Sequence, residues 1–267
     1  MTAVEATLWA IGSIVALGMA WAAVQRVSPG LLRDRGAGAL VQALVYVALL
    51  ALVRFVYFPA TRAGVVLGAR PGRWVFYPIA LLLGLAIQFP ASGLYEAIIA
   101  RFPATPPSEE FAEAFSTLPM WKKMTAAAGL VVTTPLVEEA FFRGALFGTL
   151  RRHHGAVTVV IMTSMLFALI HIQPQLFLPI GMVGAAIAFL RVASGSIWPG
   201  VLCHMAFNGL TFWAIAAGAS ESSPASEPTP VLEVVIGTVV TAGLLALTDH
   251  LRPRDADADR GPSEEQS

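Results

Sequence analysis

Glu138, Glu139 and Arg143 lie inside an otherwise apolar run, LVVTTPLVEEAFFRGALF, from Leu130 to Phe147. On insertion scales, each acidic or basic side chain at a membrane helix centre costs roughly 2.5–3.5 kcal/mol. Three such groups cost on the order of 8–10 kcal/mol by the same scale. A membrane chain keeps them only where they pair, face a wet cavity or do chemistry. Glu139 and Arg143 are four apart, so they share a helix face and can pair. Glu138 points about 100° away and has no obvious partner on its own helix. The plain alternative is that both acids neutralise Arg143 and lock helix packing. One arginine does not need two carboxylates, so simple neutralisation explains Glu138 less well than Glu139. Pro135, about one turn earlier, removes a helix hydrogen bond and predicts a bend.

Two later segments repeat the four-residue spacing. Phe167 and His171 share one face, and His204 and Asn208 share another. A lone membrane histidine is more often an interhelical hydrogen-bond donor than a catalyst. Two of them, with an asparagine and a Glu-Glu-Arg cluster, favour a site. Counted from the short Arg151–His154 connection, Glu138 and His171 both fall roughly 20–25 Å deep. His204 is shallower by residue count, so a tilted helix or a re-entrant start is needed to bring it level.

Weaker candidates are the loop pair His153 and His154, and Cys203, which points off the His204 face. That single cysteine excludes an internal disulfide and any CxxC site. No glycine-rich phosphate loop or helical His-Glu-x-x-His pair occurs. Gln42, Arg54, Gln88 and Glu96 are further polar intrusions, read as packing or snorkelling residues.

The elements that must position these groups are membrane helices. Hydrophobic residues make up 56% of the chain and charged residues 13%, with a mean hydropathy of +0.70. Soluble domains carry about 25% charged residues. The formal net charge is zero, which gives no reason to expect a nucleic-acid partner. The first apolar run has no basic residues before it and is long enough to span, unlike a cleaved signal peptide. Spans are expected at about 4–25, 37–58, 74–99, 121–150, 155–172, 175–193, 196–218 and 231–249, each near the ~20 residues a crossing needs. The fold class is therefore all-α, a polytopic membrane protein with about eight transmembrane helices. Residues 1–250 form one membrane domain, and the charged tail 251–267 is expected to be disordered. The 102–120 connection predicts an interfacial helix with Phe111, Phe115 and Leu118 on one face. Loop arginines and lysines favour both termini inside, nine against six.

Three motifs now stand in order on separate apolar segments: Glu138-Glu139-Ala-Phe-Phe-Arg143, Phe167-Ala-Leu-Ile-His171 and His204-Met-Ala-Phe-Asn208. Together they resemble the CPBP family of intramembrane proteases, which comprises CAAX prenyl endopeptidases and bacteriocin-processing or immunity (Abi) proteins. The resemblance covers about residues 120–215. It implies an eight-helix protease with a water-filled cavity in the cell membrane, acting on a membrane-associated or lipidated peptide among membrane lipids. It also implies that Glu138 is the general base and that His171 helps hold the water. His204 and Asn208 would polarise the scissile carbonyl, and Glu139 and Arg143 would set the local field. Two histidines and a glutamate also form a reasonable zinc set, so His171 and His204 are candidate Zn²⁺ ligands. A metal-free glutamate mechanism uses the same residues. Two other classes stay open: a transporter lined by buried charges, and a non-catalytic scaffold or immunity protein on the same fold.

Overall fold

The computed structural model describes residues 1–28, 30–31, 35–58, 63–103, 115, 117–217 and 229–253. Among these residues the chain is all-α. Eight main helices follow in order: α1 (Ala3–Val27), α2 (Arg35–Tyr57), α3 (Phe76–Ile99), α4 (Met120–Leu150), α5 (Ala156–Leu169), α6 (Phe177–Ser194), α7 (Trp198–Ala216) and α8 (Val231–His250). The interfacial helix expected within 102–120 falls mostly on residues 104–114 and 116, and the tail from 254 onward lies with them outside the described residues.

The expected count of about eight spans is met for six. Helices α1, α2, α3, α4, α6 and α8 are long and apolar enough to cross a membrane. α5 is apolar but has only 14 residues. α7 is long enough at 19 residues, but His204 and Asn208 dilute its hydropathy. The helices that fall short are thus α7, which carries His204, and α5, just beyond whose end His171 sits.

α1 packs on α2, and α2 runs along α4. α5 packs along α6, α7 crosses the first half of α3, and α8 covers both halves of α3. α4 lies between α2 and α7, and 50% of its most apolar 18-residue window is buried, against 11% for α1. A helix enclosed by others can carry charges that a lipid-facing helix cannot.

Close approach of α3 and α7 depends on Gly84, where an added Cβ would come within 2.8 Å of Ala206 Cβ and closer still to the Cys203 carbonyl. Neither neighbour is a flexible side-chain end. Gly84→Ala should therefore push α7 away from α3 and lower the thermal unfolding midpoint, a strain of about 1–3 kcal/mol. An unchanged midpoint would show that the pair can separate freely.

Met1 and Leu251 lie at the same end of the bundle. Thr149 Oγ1 is 3.2 Å from Met1 Sδ, Arg152 stacks 4.1 Å over Phe58, Trp198 Nε1 donates to the Ala69 carbonyl at 2.7 Å, and Arg73 Nη1 donates to the Leu251 carbonyl at 2.9 Å. That agrees with an even number of crossings.

Candidate active site

α4 changes its winding where the acids sit. Ala128–Thr133 and Ala140–Leu146 are π-helical, and the α-helical stretch Thr134–Glu139 lies between them. Wide turns of this kind are rare and concentrate at functional sites. Pro135 marks the first junction. The Thr134 N–H reaches five residues back to the Gly129 carbonyl. The next bond in that register would run from residue 135 to Leu130, and proline has no N–H to give. The Leu130 carbonyl is taken instead by Asn208 Nδ2 at 3.0 Å. One bond of Asn208 is thus spent on satisfying the backbone beside the site.

The charges form one connected, buried cluster. Glu139 and Arg143 are 0% exposed, Glu138 4% and His204 5%. Arg143 Nη1 donates to Glu139 Oε1 at 3.0 Å, the pairing that the spacing predicts. Arg143 Nη2 donates to the Gly184 carbonyl at 2.8 Å, and its guanidinium lies 4.4 Å from the Phe167 ring centroid. Gly184 leaves room for this: an added Cβ would stand 3.2 Å from both Arg143 Nη2 and Phe167 Cδ1. Arg191 Nε donates to the Arg143 carbonyl at 3.1 Å, supporting the second π stretch from α6.

Glu139 Oε1 has a second donor, His204 Nδ1, at 2.9 Å. A carboxylate can only accept, so the Nδ1 proton points at Glu139, and Nε2 is the ring atom left for other work. His204 Nε2 lies 3.9 Å from Glu138 Oε2, too long for a direct hydrogen bond. His171 is oriented in the same manner, with Nδ1 2.8 Å from the Phe167 carbonyl. The Phe167 ring stands between the histidines, edge-on to both, with centroids 5.1 Å from His171 and 5.5 Å from His204.

His171 sits just beyond the end of α5, and the next residue, Ile172, has φ 55°. A β-branched residue in the left-handed region is strained, and such strain persists where the surroundings impose it.

All six residues singled out in the sequence therefore surround one region. Glu138, Glu139, Arg143 and His204 touch or nearly touch, His171 joins through Phe167, and Asn208 anchors the adjoining turn. Gln42 corrects the sequence reading. It does not merely pack, because its Nε2 donates to Glu138 Oε1 at 2.7 Å. Its position inside an apolar helix was the available signal. The Gly184 carbonyl gave none, since backbone acceptors are invisible in a sequence.

The donors are of the right chemistry for zinc, with two ring nitrogens oriented by acceptors. Even so, among the described residues no three His, Cys, Asp or Glu side chains are gathered closely enough to hold a metal ion. His171 and His204 as placed do not complete a ligand set.

Residues 120–210 match the family model described as Type II CAAX prenyl endopeptidase Rce1-like. No curated protein and no solved structure matches the chain. The matched segment runs from the start of α4 into α7 and holds every one of the six residues. That match, together with six helices long and apolar enough to cross a membrane among the described residues, two of which (α4 and α6) belong to the matched segment, supports an intramembrane protease of the CPBP type in an integral membrane protein.

Proposed function

We propose that the chain is an intramembrane endopeptidase that hydrolyses a peptide bond of a membrane-associated, CAAX-type lipidated substrate with a glutamate-activated water. The observation that carries this reading is the pairing of roles among the buried acids. Glu139 is held by Arg143 and His204, while Glu138 keeps one oxygen toward His204 Nε2 at 3.9 Å. A polar separation of that length is one that a bridging water can fill.

Glu138 takes a proton from the water as its oxygen bonds to the scissile carbonyl carbon. Negative charge then develops on the carbonyl oxygen, where fixed donors act most strongly. The second N–H of the Asn208 amide serves that oxygen, joined by His204 Nε2 when both nitrogens of that ring carry protons, and His171 Nε2 steers the water. Glu138 returns its proton to the leaving amine, the C–N bond breaks, and the carboxylate is restored. Arg143 and Glu139 form the fixed frame of charge.

The test uses the full chain purified into lipid vesicles and a synthetic peptide that ends in a prenylated CAAX sequence. Mass spectrometry should find the peptide cut, with the unprenylated peptide cut more slowly. No product from any membrane-bound peptide would overturn the reading in favour of a scaffold. Ion flux in the same vesicles would favour a transporter. Elemental analysis belongs with this test: stoichiometric zinc, lost together with activity on chelation and restored on re-addition, would add a metal to the mechanism.

A further inference from the structure

Gln42 reaches from α2 across the seam to α4 and ties two of its residues together. Its Nε2 donates to Glu138 Oε1 at 2.7 Å, and its Oε1 accepts from Thr134 Oγ1 at 3.4 Å. Thr134 lies four residues ahead of Glu138, on the same face of α4. The two partners fix which way the amide points. A carboxylate only accepts, so the NH₂ must face Glu138, and a hydroxyl donor must then meet the carbonyl oxygen. Neither end can be reversed without losing a bond.

Glu138 needs such a tether. Its helix neighbour Glu139 takes the Arg143 pairing and the close His204 bond. Gln42 anchors Oε1, so Oε2 is the oxygen left facing His204 Nε2. We propose that Gln42 is a positioning residue for Glu138: it fixes the carboxylate so that Oε2 is the atom that meets the water, and Thr134 fixes Gln42. The proposal rests on Glu138 being the base, and it adds α2, outside the matched segment 120–210, to the working site.

A bond that serves only to hold α2 against α4 would affect folding, not the chemical step. The test measures kcat, KM and thermal midpoint for the full chain in vesicles with a prenylated CAAX peptide. Gln42→Met, of similar length but without the amide, should lower kcat about 10–100-fold with KM within about twofold, as expected for a misplaced catalytic group. Thr134→Val should lower kcat about 3–10-fold, and Thr134→Ser, which keeps the hydroxyl, should restore it. In the Gln42→Met background, Thr134→Val should add nothing, because both act through one path.

Full kcat in folded Gln42→Met would overturn the role of Gln42 alone, provided Glu138→Gln is inactive. An additive effect of Thr134→Val, or Thr134→Ser as poor as Thr134→Val, would do the same. A wild-type chain that cleaves nothing would remove both the base and its tether. If Gln42→Met does not fold, the comparison of Thr134→Val with Thr134→Ser carries the test.

Discussion

Glu138→Gln should abolish peptide cleavage while the chain stays folded and inserted. The exchange keeps the size of the side chain and removes its charge. It also keeps a carbonyl oxygen able to accept the Gln42 N–H now given to Oε1. The neighbouring frame is untouched, because Arg143 and His204 both bond Glu139. Loss of a general base typically costs about 10²–10⁴-fold in rate, so turnover should fall by at least about 100-fold with an unchanged unfolding midpoint. Turnover within about tenfold of wild type would remove Glu138 from that role. Glu139→Gln is the informative companion. It loosens Arg143 and His204 together, so it should lower stability as well as rate.

Arg143→Ala should chiefly damage the fold. Arg143 is the largest fully buried side chain and is 0% exposed. Its removal strands Glu139 Oε1 with one donor, leaves the Gly184 carbonyl without its partner and empties the space beside Phe167. Breaking a buried ion pair costs about 3–5 kcal/mol, because the remaining charge stays buried. The expected result is a lower unfolding midpoint and poorer membrane accumulation, with activity lost alongside. Pairing Arg143→Leu with Glu139→Leu should recover much of the stability and none of the activity, since an apolar pair removes the stranded charge. A fully stable but inactive Arg143→Ala would instead make the guanidinium a direct participant in the chemistry.

The order of helices and the polar residues within them could be read in the sequence, since apolar runs and four-residue spacings are local properties. The Glu139–Arg143 pair is of this kind and appears as the spacing predicts. Two things were hidden because they depend on helices meeting. Gln42 looked like packing until α2 was placed beside α4. Glu139 looked like a partner for Arg143 alone until α7 brought His204 to the same oxygen. Depth misled for a different reason. Counting 1.5 Å per residue placed Glu138 deeper than His204. Seven of the residues between Glu138 and the Arg151–His154 loop are in the π stretch Ala140–Leu146, whose wide turns advance less per residue. That shortening is a few ångströms at most, and the side chains of Glu138 and His204 nevertheless meet, 3.9 Å apart. Of the eight spans expected, six are long and apolar enough to cross, while α5 has only 14 residues and α7 carries His204 and Asn208 within its apolar run.

The shortness of α5 ties this protein to the thickness of its host bilayer. Fourteen residues span about 21 Å, against a hydrocarbon core of about 30 Å. The non-helical backbone after Leu169, with His171 on it, therefore sits at acyl-chain depth, where unbonded peptide groups are costly unless water or protein reaches them. Unless protein shelters it, the bilayer thins beside this loop, and the resulting hydrophobic mismatch favours membranes that deform cheaply. Lipids with short acyl chains should keep the loop wet and His171 reachable. Long or sterol-stiffened chains should close over it. Cleavage measured across vesicles of graded chain length should fall steadily as the bilayer thickens, and a flat response would mean that protein alone shelters the loop.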